Sequence, residues 1–226
     1  MNKPLIIVGD SAFAEIAYEY FRYDSEFHPT AFAVEAEYRK RDRLFDLPVV
    51  DVESLASEYP ADEHYFFAAI VYGKLNRTRT RLYLEMKQRG YRPASYISTK
   101  AFIWRNVKLG EHCFIFENNV VQPFTTIGDN VILWSGNHIG HHCTIDSHCF
   151  ISSHVVISGY CKVKSSSFFG VNATIANNLT IGRDVWLSPG ACVTKDIPDG
   201  TLLKGSKAAP ASPTTYALFD VEMPES

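Results

Sequence analysis

Histidines are concentrated in one short stretch of the chain. Residues 137–154 read NHIGHHCTIDSHCFISSH and hold five of the eight histidines. Imidazole can ligate zinc, transfer protons near neutral pH, or simply face solvent. Which of these applies depends on where the backbone places each ring.

The elements that carry these histidines follow a six-residue repeat. From Ala101 to Asp196, the third residue of sixteen consecutive blocks is apolar, and the first is usually small or aliphatic. Repeated units of this kind bury their apolar face only against their neighbours. One inward aliphatic and one inward small residue describe one side of a three-sided coil. Residues eighteen apart then stack at roughly 4.8 Å, the spacing of neighbouring strands. The sequence therefore predicts a β-helix.

The coil separates three of the histidines from one another. His142, His148 and His154 are the sixth residues of consecutive blocks, so they lie on three different sides and point apart. Zinc needs its ligands within about 2.1 Å of one ion, so we predict no metal site and expect these rings at solvent or at an interface.

His141 is placed differently, because it stacks one coil before Gly159. The missing side chain of Gly159 leaves open space, and its amide can donate a hydrogen bond. A base beside a fixed N–H donor is the minimum equipment for acyl transfer. The alternative is an ordinary surface histidine.

The first half of the chain alternates strands with helices. Strand-like apolar runs lie at residues 5–9, 30–34, 48–50 and 65–71, and helical stretches at about 12–23, 52–59 and 74–90. This alternation predicts a small, Rossmann-like parallel α/β domain. We expect the α/β domain at residues 1–98, the β-helix at 99–200 and a tail at 201–226.

Composition narrows the classes of function. The net charge of −3 gives no electrostatic reason to expect nucleic acid or an acidic membrane as partner. No apolar run reaches membrane-spanning length, and five cysteines indicate a reducing compartment, so we expect a cytoplasmic protein. Cys143 and Cys161 stack inside the coil, as a redox pair or, the reading we favour, as corner packing.

An α/β domain followed by this repeat resembles the sugar acyltransferases related to the sialic-acid O-acetyltransferases and to the bacillosamine- and perosamine-type N-acetyltransferases. The resemblance spans nearly the whole chain and implies a left-handed β-helix. The stretch GHHCTID, residues 140–146, is similar to the family segment D/E-H-D/E-C-x-I-G. It places the catalytic base at His141 and the amide that faces the thioester carbonyl at Gly159.

The chain departs from that family at two positions. The acidic residue that usually follows the base is His142 here, and a second family histidine is Phe150. The group that orients His141 is therefore open, with Asp146, Asn137 or a residue of an adjacent subunit as candidates.

The resemblance also implies acetyl-CoA, bound in a groove between two prisms of a homotrimer. The matching coils suggest cofactor contacts at Gly170, Val171 and Ser188. The customary lysine after the helix is displaced, which leaves Lys204 or Lys207 to meet the CoA phosphates.

In the α/β domain, the resemblance implies a site for the nucleotide of a sugar nucleotide. Its glycine-rich turn keeps only Gly9, and Asp10 would repel a phosphate. The candidate contacts are Ser11, Glu35, Asn76 and Arg79. For Asn76 and Arg79, structural capping of their helix is the alternative. Trp134 is expected to face outward near the His141 coil, as a subunit contact or a platform for the sugar.

The resemblance, together with the placement of His141 beside Gly159, implies an acetyl-CoA-dependent N-acetyltransferase that acts on a nucleotide-linked amino deoxy sugar, for synthesis of a surface polysaccharide such as lipopolysaccharide. Sugar O-acetylation and a non-catalytic trimeric binding module are the alternatives. A zinc carbonic anhydrase of the same prism fold is disfavoured, because its two remaining ligand positions are Asn177 and Gly182.

Overall fold

The computed structural model describes residues 3–210 and 212–223. Its N-terminal domain is a six-stranded sheet with a helix on each face. The elements are β1 (Lys3–Val8), α1 (Ala12–Tyr23), β2 (Phe27–Val34), β3 (Arg43–Leu44), β4 (Leu47–Asp51), β5 (Tyr65–Ala68), α2 (Arg77–Gln88) and β6 (Arg92–Pro93). The strand order is β3-β4-β2-β1-β5-β6, and every pair is parallel except β3 with β4.

Strand β1 is apolar throughout because both faces of the sheet are covered. Leu5 and Ile7 pack in the cluster that contains α1, whereas Ile6 and Val8 pack in the cluster that contains α2. A central parallel strand between two helical layers needs this continuous apolar run. The acidic stretch predicted as a helix at 52–59 forms a 3₁₀ helix, Val52–Ser57, and a shorter one spans Ala36–Tyr38.

The second half is a parallel β-helix, and each of the sixteen predicted blocks supplies one strand. The strands are β7 (Tyr96–Ile97), β8 (Phe102–Ile103), β9 (Lys108–Leu109), β10 (Phe114–Ile115), β11 (Val120–Val121), β12 (Thr126–Ile127), β13 (Ile132–Leu133), β14 (His138–Ile139), β15 (Thr144–Ile145), β16 (Phe150–Ile151), β17 (Val156–Ile157), β18 (Lys162–Val163), β19 (Phe168–Phe169), β20 (Thr174–Ile175), β21 (Thr180–Ile181), β22 (Trp186–Leu187), β23 (Cys192–Val193) and β24 (Leu202–Leu203). The predicted fold class, an α/β domain followed by a β-helix, is confirmed.

The strands form the three faces of a prism. Face 1 has the order β24-β22-β19-β16-β13-β10-β7, face 2 the order β23-β20-β17-β14-β11-β8, and face 3 the order β21-β18-β15-β12-β9. Paired residues are eighteen apart, as in His138 with Val156 and Ile139 with Ile157. The third residue of each block points into the prism, where Ile139, Ile145 and Ile151 are fully buried. Each such side chain contributes roughly 1.5–3 kcal/mol by leaving water.

The sixth residue of the blocks turns the chain from one face to the next. At these corners the twelve non-glycine residues from His112 to Asp184 have φ between 55° and 69°. Asparagine, aspartate and histidine tolerate this left-handed conformation best among residues with a side chain. The turn itself therefore accounts for the residue type at His142, His148 and His154, which lie at three different corners as predicted.

The N-terminal domain covers face 1. Phe13 and Tyr20 of α1 pack on Phe116, with ring centroids 6.4 and 5.1 Å away. Helix α2 lies along the 3–1 corner, which is the column of His112, Asn130, His148, Ser166 and Asp184. The remaining edge, the 2–3 corner, is therefore opposite the N-terminal domain. It carries Phe124, His141, His142, Gly159 and Tyr160.

The tail adds β24 to face 1 and a short exposed helix, α3 (Thr215–Phe219). Both α1 and α2 are 12 residues long, and no helix in the described parts of the chain has the length and apolar content needed to span a membrane.

Candidate active site

The ring of His141 lies directly against the backbone of Gly159. A Cβ atom placed on Gly159 would come within 2.8 Å of His141 Cε1, 2.9 Å of Nε2 and 3.3 Å of Nδ1. Real Cβ atoms do not approach other atoms this closely, so any side chain at 159 would displace the imidazole. The structure thus brings together the two residues that the repeat predicted to stack.

The backbone N–H of Gly159 takes no part in the hydrogen bonds between coils. The N–H groups on either side of it do, since the Ser158 amide donates to Ile175 O and the Tyr160 amide donates to His141 O. Within residues 3–210 and 212–223, the Gly159 N–H meets no acceptor. Gly140 lies just below it, and a Cβ at 140 would be 2.6 Å from Gly159 N. The pair of glycines keeps one N–H donor accessible beside an imidazole.

His141 is held by its neighbours along the corner. Its backbone N–H donates to Gln122 Oε1 at 3.0 Å, and its Nδ1 lies 3.1 Å from Nδ1 of His142. Neither of the orienting groups considered from the sequence reaches it. Asn137 bonds to Trp134 O and to the Val155 amide, and Asp146 pairs with Lys164 at 3.7 Å.

A second site is a cavity of about 990 Å³ in the N-terminal domain. It opens at the carboxyl ends of β1 and β2, where ligands bind in sheets of this topology. Ser11 and Glu35 line it, as expected for a nucleotide site, together with Lys74, Arg77 and Arg81. All residues that line the cavity belong to the N-terminal domain.

Two acidic residues at the cavity are paired with arginines. The Glu35 carboxylate accepts two hydrogen bonds from Arg81, at 2.9 and 2.8 Å, which is the strong bidentate geometry. Asp10 lies 3.4 Å from Arg41, so its negative charge is offset beside the start of α1. The repulsion that Asp10 would exert on a phosphate is reduced accordingly.

Two comparisons place these features among known proteins. Residues 106–140 and 124–159 match the model of the bacterial transferase hexapeptide family (six repeats). PerB from Caulobacter crescentus, solved in complex with CoA and GDP-perosamine, is 25% identical, with 89% of this chain and 94% of that chain covered and a TM-score of 0.81. The repeat matched by the family model lies within the β-helix, at residues 106–159.

Two further solved structures share the fold of this chain. The acetyltransferase domain of PglB from Neisseria gonorrhoeae FA1090, in complex with acetyl coenzyme A, is 21% identical over 93% of this chain and 100% of that chain, with a TM-score of 0.81. WeeI from Acinetobacter baumannii AYE is 22% identical over 89% of this chain and 96% of that chain, with a TM-score of 0.70.

The residues expected at the cofactor lie on another edge of the β-helix. Gly170, Val171 and Ser188 follow strands of face 1 and therefore lie at the 1–2 corner, one edge away from His141. Val171 is exposed, and a Cβ on Gly170 would lie 2.6 Å from Pro189 N. Lys204 and Lys207 are exposed just beyond β24. One chain does not bring this set to its own His141.

The expectation that Asn76 and Arg79 bind substrate is wrong, because both side chains are fully buried. Arg79 donates to Asn130 Oδ1 and Asn76 Oδ1 at 3.0 Å, and to the carbonyls of His148 and Cys149 at 3.1 and 3.2 Å. Asn76 donates in turn to Ser166 O. Burial lowers the pKa of Arg79 to about 9. These residues join α2 to the β-helix.

The expectation for Trp134 is also wrong. Its ring lies on face 1, away from the His141 corner, and packs on Phe116 at 4.3 Å and on Phe13 of α1 at 5.4 Å. The ring is partly buried there, and its packing against the N-terminal domain of its own chain accounts for its position.

The histidine cluster forms no metal site in the described part of the chain. No group of three histidine, cysteine, aspartate or glutamate side chains there could hold an ion. Cys143 and Cys161 are stacked inside the prism, where the Cys161 amide donates to Cys143 Sγ at 3.4 Å. This is the corner packing expected from their spacing.

Proposed function

We propose that this chain is an acetyl-CoA-dependent N-acetyltransferase whose acceptor is the amino group of a nucleotide-linked deoxy sugar. The observation that carries the proposal is the imidazole of His141 packed beside the unpartnered amide of Gly159. Two structures of the same fold support the identity of the substrates, since one holds CoA and GDP-perosamine and the other acetyl coenzyme A.

The proposed reaction is direct transfer of the acetyl group. The sugar amine attacks the thioester carbonyl while Nε2 of His141 accepts a proton from the nitrogen. The Gly159 N–H donates to the oxyanion of the tetrahedral intermediate. Collapse of the intermediate breaks the carbon–sulfur bond, and the proton on His141 passes to the leaving CoA sulfur, which leaves an amide and free CoA.

The nucleotide would occupy the cavity of the N-terminal domain. The first amides of α1, after Ser11, can receive a phosphate oxygen, because the amino end of a helix attracts anions. Lys74 adds positive charge at the cavity wall, whereas the charge of Arg77 is offset by Asp184. Glu35 lies after β2, where it can meet the nucleoside.

A complete site then needs a second copy of the chain. The outward positions of face 2 carry no Asp, Glu, Lys or Arg, and Phe102, Trp104 and Val156 are exposed there. Face 3, in contrast, exposes Lys108, Lys162 and Lys164. If face 2 of three copies meets at a threefold axis, the 2–3 corner of one copy lies beside the 1–2 corner of the next. His141 thereby faces the Gly170, Val171 and Ser188 edge of a neighbour, and we propose a homotrimer.

The test measures thiol release from acetyl-CoA against a panel of UDP-, dTDP- and GDP-linked amino sugars, each with its hydroxyl counterpart. We expect one amino sugar to be turned over. His141→Ala should then lower turnover by roughly 10²- to 10⁴-fold, the usual contribution of a general base, without changing the affinity for acetyl-CoA.

His64→Ala is the matched control, because it removes an imidazole from the N-terminal domain far from the 2–3 corner. Unchanged turnover in His141→Ala would eliminate the proposed base. Turnover of the hydroxyl sugar alone would make the enzyme an O-acetyltransferase, and absence of acetyl-CoA binding by calorimetry would favour a non-catalytic assembly module.

A further inference from the structure

Three aromatic rings are stacked at the 2–3 corner beside His141. His142 lies between Phe124 and Tyr160, with ring centroids 4.6 and 4.8 Å away and interplanar angles of 27° and 16°. The three residues are eighteen apart and share the left-handed corner conformation, with φ of 63°, 57° and 61°. The imidazole of His142 is therefore exposed at its edge but fixed on both faces.

The edge of the His142 ring points at the proposed base. The two Nδ1 atoms are 3.1 Å apart and the ring planes are nearly perpendicular, at 89°. At this separation one nitrogen donates and the other accepts. Of the two nitrogens of His141, Nε2 lies nearer than Nδ1 to the position that a Cβ atom would occupy on Gly159, at 2.9 against 3.3 Å. A proton on Nδ1 of His141 would leave the lone pair on Nε2, on the Gly159 side.

Other partners for Nδ1 of His141 are absent from the described part of the chain. Asn137 is fully buried and uses both its amide atoms in the β-helix. The carboxylate of Asp146 is engaged by Lys164. The Gln122 side chain accepts from the backbone amide of His141, not from its ring.

We propose that His142 is the positioning residue of this site, its Nδ1 accepting the hydrogen bond that keeps the proton of His141 on Nδ1 and the lone pair on Nε2. The inference rests on the proposed function for its catalytic meaning, although the tautomer itself can be measured without any substrate. The stack with Phe124 and Tyr160 supplies the rigidity that a single hydrogen bond lacks.

In the family that this chain resembles, an acidic residue usually follows the base. Here the imidazole of His142 takes the place of that carboxylate. A carboxylate both orients an imidazole and stabilises the imidazolium that forms when the base accepts a proton. A neutral imidazole acceptor supplies the orientation alone, without the anion. The chain therefore depends on geometry at this position, and the stacked corner provides it.

Two variants separate the effect of the His142 hydrogen bond from the effect of an aromatic ring in the stack. His142→Phe keeps an aromatic ring in the stack, and the corner accepts it, because Phe124 has the same conformation one coil earlier. His142→Asp removes the ring but restores an acceptor, and aspartate tolerates the left-handed backbone. Both are compared with the wild type by nitrogen NMR of labelled histidine and by turnover with acetyl-CoA and the best acceptor of the panel.

We expect wild-type His141 to carry its proton on Nδ1, and His142→Phe to lose that tautomer preference. Turnover of His142→Phe should fall at least 10-fold with KM for acetyl-CoA unchanged, since general-base catalysis contributes about 10²- to 10⁴-fold. His142→Asp should recover both the tautomer and most of the turnover.

Wild-type His141 with its proton on Nε2, or an unaltered tautomer in His142→Phe, would overturn the inference. Loss of turnover in both variants to the same extent would also contradict it, because shape rather than the acceptor would then matter. If no acceptor is turned over by the wild type, the proposed function fails, whereas the tautomer measurement still decides the role of His142.

Discussion

The left-handed corner conformation places histidines at several corners of the prism, where their side chains have different roles. The left-handed turn at the sixth residue favours histidine, and the chain places His112, His142, His148 and His154 there. What each ring does depends on what covers its corner. His142 meets His141 at the exposed 2–3 corner, whereas His112 and His148 lie under the N-terminal domain.

Arg79 is the other residue whose role depends on what covers it. Its guanidinium is fully buried, and its hydrogen-bond partners are amide and carbonyl oxygens rather than a carboxylate. A buried charge without a counter-ion is tolerated only when its donors are satisfied in this way. The residue therefore acts as a connector between α2 and the 3–1 corner.

Replacing this connector should destabilise the protein. We expect Arg79→Met to lower the free energy of unfolding by about 2–4 kcal/mol, because several buried oxygens lose their donors. Arg81→Met is the control on the same helix. Its guanidinium is half-exposed and pairs with Glu35 at the surface, so its loss should cost no more than about 1 kcal/mol. Urea denaturation of both variants measures the difference, and equal effects would show that Arg79 is not a connector.

At the scale of elements, the six-residue period was sufficient to predict sixteen strands of the prism, β8 to β23. An inward Ile139 or Ile157 at the third position leaves only one way to orient a block, so strand positions and the eighteen-residue stacking followed directly. The same reasoning placed His141 beside Gly159. The position of β7, which begins the first coil at Tyr96, was not visible, because it precedes the repeat.

The repeat could not predict which face is covered. Outward residues such as Trp134 have the same spacing whether they meet solvent, a subunit or α1, so its burial against Phe13 was missed. Asn76 and Arg79 were misassigned for the same reason, since a polar pair at the start of a helix resembles a ligand site. The sequence signal that face 1 is covered is a column of aromatic residues. Phe150, Phe168 and Trp186 occupy successive outward positions of that face.

The 3–1 corner column predicts how stability depends on pH. His112 Nε2 accepts from the Ala68 amide at 2.8 Å, and its Nδ1 lies 3.0 Å from Asn130 Oδ1, so the ring must be neutral. Burial lowers the pKa of His112 to about 3, and burial also lowers the pKa of His148. Because the unfolded-state pKa is about 6.5, this stability is complete above pH 6.5 and is lost as the pH falls from there toward 3.

The free energy of unfolding should therefore decrease by up to about 1.4 kcal/mol per pH unit for His112 alone between pH 6 and 4. In His112→Asn, which suits the same left-handed corner, that contribution disappears and the slope should be shallower by this amount. Urea unfolding at a series of pH values measures both slopes. Identical slopes would mean that His112 can be protonated in the folded state.

At the scale of the whole molecule, the functional parts lie on different edges. The nucleotide-sized cavity belongs to the domain on face 1, and His141 lies at the opposite edge. The residues expected at the cofactor occupy the 1–2 corner, beside face 2, whose outward positions carry no Asp, Glu, Lys or Arg. Because the β-helix lies between the cavity and its own His141, the site that we propose combines the cavity of one chain with the base of another.

This division predicts complementation between two inactive variants. His141→Ala keeps the cavity but loses the base, whereas Ser11→Glu places bulk and negative charge in the cavity and keeps the base. Ser11 makes no side-chain capping bond, so the change should not disturb α1. When the two chains are co-expressed in equal amounts and assemble at random, about a quarter of the sites should combine an intact cavity with an intact base. Thiol release should recover to roughly that fraction of wild type.

Co-expression of His141→Ala with the double variant carrying both changes is the control and should stay inactive, since no intact base is present. If the single-variant mixture also stays inactive although the mixed assembly is isolated intact, cavity and base act within one chain, and the site does not lie between subunits.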